Sequence, residues 1–186
     1  MDTTMPNIMF NGMALIFKIR DFLFPRDDVL EEVNLKPGDH VLDYGCGPGA
    51  YVPGTAKRIG AAGKLYALDI HPLALQKVQN LAQKQHLTQV HTICSNCKTE
   101  MPDNSVDVVL LYDIFHMLSE PDAILAELQR ILKPDGILSV NDHHISETAI
   151  ISGITENAHF TWVRKGDLTY TFKPNWPQTT DHRPLL

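Results

Sequence analysis

Two carboxylates set around a run of glycines are the residues of this chain with the clearest chemical use. The segment Val41-Leu-Asp43-Tyr-Gly45-Cys-Gly47-Pro-Gly49 places glycines at alternate positions directly after a short apolar stretch. Glycine lets a backbone turn tightly and approach a ligand with no Cβ in the way, and the first turn of a following helix offers unpaired N–H groups. Asp69 ends a second apolar stretch, Lys64-Leu-Tyr-Ala-Leu-Asp69. A carboxylate in that place can accept two hydrogen bonds from a ribose diol, charge-assisted bonds worth roughly 1.5–3 kcal/mol each. Asp43 lies two residues before the first glycine, where its charge would attract an ammonium and repel a pyrophosphate.

Further polar side chains follow two other apolar runs. Tyr112, Asp113 and His116 come after Val106 to Leu111, and Asp142, His143 and His144 come after Ile137 to Val140. Tyr112, His116 and His143 are the candidates for acid–base work, which is needed where an acceptor arrives protonated near neutral pH. Asp142-His143-His144 also raises a metal reading. Adjacent residues do not easily all face one ion, and no second ligand pair is spaced nearby, so no metal is expected. Cys94-Ser-Asn-Cys97 has the C-x-x-C form but lacks the second pair of a structural zinc site and the strand–helix setting of a redox motif. A strand-end cysteine and a loop cysteine lining a ligand slot is the simpler reading.

The elements that must hold these residues alternate along the chain. Residues 8–24 and 27–34 read as helices. Short apolar strands are expected at His40–Asp43, Lys64–Asp69, Val90–Cys94, Val106–Leu111 and Ile137–Val140. Helices are expected up to about Ile59, from Pro72 to about His86, and over Glu120–Leu132, where Ile124, Leu125, Leu128, Ile131 and Leu132 fall at helical spacing. Lys133-Pro-Asp-Gly136 reads as the turn before the last of these strands.

Five β-α units imply an α/β fold, a Rossmann-like, doubly wound parallel sheet with helices on both faces. Ligands bind outside the carboxyl ends of such strands, where strand order reverses; here that point is the first strand. Phe160–Val163 and Leu168–Phe172, joined by Arg164-Lys-Gly-Asp167, read as an antiparallel hairpin, with Leu168, Tyr170 and Phe172 on its buried face. The expected organisation is N-terminal helices over 1–35 capping the site, a ligand-binding domain over 36–173, and a Pro-rich polar tail over 174–186.

The 186 residues suit one domain, and 16 Lys+Arg against 22 Asp+Glu give a net charge of −6. A nucleic-acid backbone as main partner is therefore not expected. Three cysteines are too few for a disulfide framework and point to a reducing, cytoplasmic setting. Ile8 to Phe24 is very apolar but contains Lys18, Arg20 and Asp21 and is short for a membrane span, so no stable insertion is expected. An amphipathic helix packed on the domain, a helix lying on a membrane surface and a surface by which a homodimer forms are the three readings of it.

Two ligand classes fit the glycine loop. Gly45-x-Gly47-x-x-Ala50 matches a relaxed dinucleotide fingerprint, so a small NAD-binding protein must be considered. Against it stand the anionic Asp43, the extra Gly49, and the absence of a second domain for a hydride acceptor. Asp43-Tyr-Gly-Cys-Gly-Pro-Gly49 resembles the first motif of class I S-adenosylmethionine-dependent methyltransferases. Leu68-Asp69-Ile70-His-Pro resembles their ribose-binding strand end, Met101-Pro-Asp-Asn-Ser-Val-Asp107 the segment before their fourth strand, and Arg130-Ile-Leu-Lys-Pro-Asp-Gly136 the turn before their fifth. The likeness runs from about 36 to 141 and is nearest to small-molecule enzymes related to ubiquinone/menaquinone biosynthesis.

The resemblance implies a seven-stranded sheet ending in an antiparallel pair. It places Asp43 and the backbone of Gly45, Cys46, Gly47 and Gly49 on the methionine part of S-adenosylmethionine, Asp69 on the ribose and Ile70 against the adenine. Asn96 stands where the family commonly has an Asp that accepts from the adenine amino group, with Cys97 beside it. The 112–116 segment, including Tyr112, would lie beside the methionine, and His116 falls where many relatives carry a His. The implied activity is methyl transfer to a small-molecule acceptor by in-line displacement, releasing S-adenosylhomocysteine. A non-catalytic module that binds S-adenosylmethionine or S-adenosylhomocysteine is the alternative.

Overall fold

The computed structural model describes residues 27–176. The expected helix over 8–24 and residues 177–186 of the tail lie outside them, so of the helices expected over 1–35 to cap the site only the second, at Asp27–Val33, is described.

Seven strands form one sheet in the order β3-β2-β1-β4-β5-β7-β6. The strands are β1 (His40–Tyr44), β2 (Lys64–Asp69), β3 (Val90–Cys94), β4 (Val106–Tyr112), β5 (Leu132–Asn141), β6 (Phe160–Lys165) and β7 (Tyr170–Pro174). The first five are mutually parallel, while β7 runs antiparallel to both β5 and β6. Strand order reverses at β1, which pairs with β2 on one side and β4 on the other. The crevice of an open α/β sheet falls at that point.

The helices are α1 (Asp27–Val33), α2 (Val52–Ile59), α3 (Pro72–Lys84), α4 (Pro121–Ile131) and α5 (Glu147–Thr155). A proline opens each of α2, α3 and α4, where its missing N–H costs nothing. Period-2 alternation in β1 and β4 sends their side chains to two cores. Leu42, Val109 and Leu111 meet α4 and α5 through Leu125, Leu128, Ile150 and Ile154. Val41, Val108 and Leu110 meet α1, α2 and α3 through Leu30, Val52 and Val78. Both faces of the sheet are thus covered, which is why β4 reads as an unbroken apolar run.

Three features depart from the sequence reading. Lys133–Gly136 does not stand outside the fifth strand. β5 already pairs at Leu132 with Val106 and resumes at Ile137 with Val108, so residues 133–136 bulge out of a longer strand.

In the hairpin, Thr169 and Thr171 are buried with Phe172, while Leu168 is 43% exposed. Thr171 and Phe172 are neighbours on opposite faces of β7 and both are buried, so alternation does not mark one buried face. Leu168 belongs to the turn.

The helix α5 was not expected. Glu147-Thr-Ala-Ile-Ile-Ser-Gly-Ile-Thr155 is rich in β-branched residues and carries Gly153, all poor helix formers. It forms because the Ser146 hydroxyl caps it by accepting from the Ala149 N–H and because Ile150 and Ile154 are buried. A Cβ on Gly153 would stand 2.9 Å from the Phe115 ring, so the missing side chain lets α5 press on the segment after β4.

The outer edge of the sheet is β6, where Trp162 and Val163 are 45% and 46% exposed and the ladder to β7 skips between Trp162 and Arg164. Among the described residues, no helix is long and apolar enough to cross a membrane.

Candidate active site

The glycine loop leaves the carboxyl end of β1 and is fixed to β2. The N–H groups of Gly45 and Cys46 both donate to the Leu68 carbonyl, at 2.8 and 2.9 Å. Gly45 has φ 75°, and a Cβ there would stand 2.8 Å from Ile114 Cγ1. Only glycine meets both conditions, and the segment after β4 thereby rests on the loop. Gly47 and Gly49 also take positive φ.

The two acids bracket this loop as the spacing predicted, with different surroundings. Asp69 Oδ2 accepts from the Gly47 N–H at 2.9 Å and Oδ1 from the His71 N–H at 2.8 Å. It therefore shapes the loop, and each oxygen keeps a lone pair for a further donor. Burial pushes its carboxyl up, and the bonds from His71 and Gly47 offset part of that rise. Asp43 is buried, and its Oδ2 has no hydrogen-bond partner among the described residues. Burial, and then the charge of Asp69, push its carboxyl up to about 7. An unpaired buried carboxylate is costly unless a cation meets it. The ammonium of S-adenosylmethionine is such a cation, so the donor set fits that compound.

Next to Asp69, Ile70 is half-buried; the Ser95 N–H, in the turn after β3, donates to the Asp69 carbonyl, and beyond it Asn96 is exposed and Cys97 half-buried. The Tyr44 hydroxyl donates to the Asn96 carbonyl at 2.7 Å and ties this turn to β1. Cys46 is buried, and its thiol is pushed well up by burial and by Asp43 and Asp69, which keeps it protonated.

Across the loop, the candidate acid–base residues sit on the ends of β4 and β5. Tyr112 is buried, its hydroxyl sharing a 2.8 Å hydrogen bond with Ser139 Oγ and its ring set edge-on to Tyr51 at 4.8 Å between centroids. Burial raises its phenol far above the ordinary value. Asp113 turns the chain with φ 54°, and its N–H donates to the Asn141 carbonyl. That turn sends His116 back over β5. Both the N–H and the Nδ1 of His116 lie on Asp142 Oδ2, at 3.0 and 2.8 Å, and the His144 N–H donates to Oδ1 at 3.1 Å. Burial pushes the Asp142 carboxyl up, but these bonds outweigh it and hold it below the ordinary value. His143 Nδ1 meets Asp113 Oδ1 at 2.6 Å, with 57% of its side chain exposed.

Asp142, bonded to both His116 and His144, stands out in the structure more than its place in the sequence suggests. Its place directly after β5 was a usable signal, but its pairing with a residue 26 positions earlier was not visible. Among the described residues no cluster suited to holding a metal ion occurs.

The model of the methyltransferase domain family matches residues 35–175. Two similar proteins are a demethylmenaquinone methyltransferase of Geobacillus stearothermophilus, 30% identical over 131 residues, and a ubiquinone/menaquinone biosynthesis C-methyltransferase of Cupriavidus metallidurans, 26% identical over 136 residues. The alignments cover 69% and 73% of this chain but 55% and 53% of those proteins, so the chain spans about half the length of the curated relatives it matches. The crystal structure of a SAM dependent methyltransferase from Aquifex aeolicus superposes with a TM-score of 0.74 at 32% identity, covering 86% of this chain and 94% of that one. The family model covers the whole described sheet and both acids of the loop, and the chain accordingly belongs to the methyltransferase domain family, as a class I S-adenosylmethionine-dependent member.

Proposed function

We propose that this protein transfers the methyl group of S-adenosylmethionine to a small-molecule acceptor by in-line displacement. The observation that carries the reading is the buried Asp43 with its unpartnered oxygen, set beside a glycine loop that Asp69 shapes. Asp43 would hold the ammonium of the donor, Gly45 to Gly49 would lie along its methionine part, and Asp69 would accept from its ribose hydroxyls. Ile70, Asn96 and Cys97 would border the adenine. The bound donor supplies a sulfonium methyl whose leaving group is neutral, so orientation can provide much of the acceleration. The end of β4, pressed on Gly45 through Ile114, faces the methionine side and carries Tyr112 and His116 toward the acceptor. Tyr112, walled in by Ser139 and Tyr51, suits a packing and orienting part. His116 and His143 are better placed to meet an acceptor. The relatives named for quinone methylation support a small acceptor.

The test is calorimetry with S-adenosylhomocysteine. The wild type binds it, and Asp69→Ala weakens the affinity about 10- to 100-fold, as expected for loss of charge-assisted hydrogen bonds of roughly 1.5–3 kcal/mol. Unchanged affinity in the variant removes Asp69 from the site, and no binding by the wild type ends the reading.

A further inference from the structure

We propose that Tyr44 is a positioning residue for donor recognition: its hydroxyl sets the turn after β3, so that the nucleobase end of the site is formed before the donor arrives. The inference deepens the proposed function and rests on it. β3 is an outer strand of the sheet and pairs with β2 alone. The turn that follows it is held from that side by the Ser95 N–H, which donates to the Asp69 carbonyl at 3.3 Å. Tyr44 supplies a second brace from β1, one strand further in. It stands opposite Leu68 of β2, and Leu68 stands opposite Ile93 of β3. With neighbouring strands about 4.8 Å apart, the backbones of β1 and β3 are separated by on the order of 10 Å. Tyr44 and Leu68 are buried in one core, Ile93 and Cys97 pack against it, and the Tyr44 hydroxyl reaches past β2 to the Asn96 carbonyl at 2.7 Å.

Phenylalanine would fill that core equally well. A buried hydroxyl costs free energy unless it is paired, so what it adds to the bare ring is the bond to the turn. Tyr44 is 4% exposed, and burial, followed by the nearby Cys97, Asp69 and Glu127, pushes its phenol above the ordinary value. The hydroxyl therefore keeps its hydrogen and remains a donor. The Cys97 N–H closes the turn from within by donating to Ser95 Oγ at 3.2 Å. The exposed Asn96 side chain has no hydrogen-bond partner among the described residues and is the group of the turn left to meet the edge of a base, with an amide oxygen that can accept from a 6-amino group. A loop already fixed in its bound form spares the ligand the entropy of ordering it. Asp43, the preceding residue, points to the opposite face of β1. Consecutive residues of one strand thus attend to the two ends of the donor, the carboxylate to its ammonium and the phenol to its base.

Calorimetry with S-adenosylhomocysteine and with its deaminated analogue S-inosylhomocysteine, which carries a 6-oxo group in place of the 6-amino group, tests this. The wild type binds the adenosyl compound more tightly. Tyr44→Phe keeps the ring and loses the brace. Its affinity for the adenosyl compound falls about 3- to 10-fold, the worth of one hydrogen bond, while that for the inosyl compound changes little, so the preference narrows. Equal losses for the two ligands, as a general loosening of the fold would give, overturn the proposal. An unchanged adenosyl affinity, or a wild type without the preference, overturns it too. Amide hydrogen exchange over residues 94–99 of the wild type needs no variant. Slow exchange in the ligand-free protein, little altered by S-adenosylhomocysteine, is expected; a segment that exchanges freely until the ligand binds is not set beforehand, and the proposal fails. A wild type that does not bind S-adenosylhomocysteine overturns the methyl-transfer reading instead.

Discussion

At the scale of single residues, Asp43 is the least comfortable group in the structure. A folded pKa of about 7 against an ordinary 3.8 means the folded state binds the extra proton between those values. Stability of the ligand-free protein therefore falls as pH rises from about 4 to 7, and the full cost of the buried charge is present above that. Asp43→Asn removes the cost. It is expected to stabilise the ligand-free protein at pH 8 on the order of 2 kcal/mol, with the gap closing near pH 4, as read from urea midpoints. The same substitution weakens S-adenosylhomocysteine binding. In the wild type that binding tightens from pH 6 to pH 8 as the carboxylate forms, and the variant shows no such trend. An Asp43→Asn protein less stable than wild type at pH 8 would mean that the carboxylate has a partner of its own. The sequence told of a carboxylate beside a glycine loop. It could not tell that one oxygen is left without a donor, because that depends on the Leu68 carbonyl taking the N–H groups of Gly45 and Cys46 and on Asp69 taking that of Gly47.

At the scale of elements, a side chain of α4 holds the loop before β4. Glu127 Oε1 accepts from the Thr99 N–H at 2.8 Å and from its hydroxyl at 2.6 Å, and Arg130 donates to both of its oxygens. The bonds from Arg130 lead in lowering its carboxyl from 4.5 to about 2. Its contribution is present above pH 4.5 and is lost as pH falls toward 2. Glu127→Gln is expected to cost about 1–3 kcal/mol at pH 7, and the difference from wild type should shrink below pH 4.5 in urea titrations. A constant difference across that range would assign the loss to packing alone.

The strands of this layer were legible because burial on both faces leaves an apolar run, as in β4. Helix α5 was not, since Ile, Thr and Gly argue against a helix and only the Ser146 cap and the contact of Gly153 with Phe115 decide for one. The hairpin was legible as a hairpin, but its buried face was not. Thr169 gives its N–H and hydroxyl to Glu32 of α1, a contact 137 positions away in sequence.

At the scale of the whole molecule, donor binding and folding are linked. A ligand that binds only the folded state at 100 times its dissociation constant stabilises by about 2.7 kcal/mol. For a chain of this size that raises the melting temperature by roughly 5–10 °C. S-Adenosylhomocysteine is expected to do so in a thermal shift measurement, and NAD at the same concentration is not. A shift with NAD alone would return the glycine loop to the dinucleotide readings.

The sheet also ends in an open strand, β6, whose outward main-chain groups could template a further strand from a neighbouring molecule. The skipped residue Val163 breaks that template. With one residue too many, the edge is kinked there, and beside the kink Arg164 donates to the Glu32 carbonyl while Lys165 pairs with Glu147. The indole of Trp162 thus stands on an edge whose irregular register does not match a straight strand from another copy.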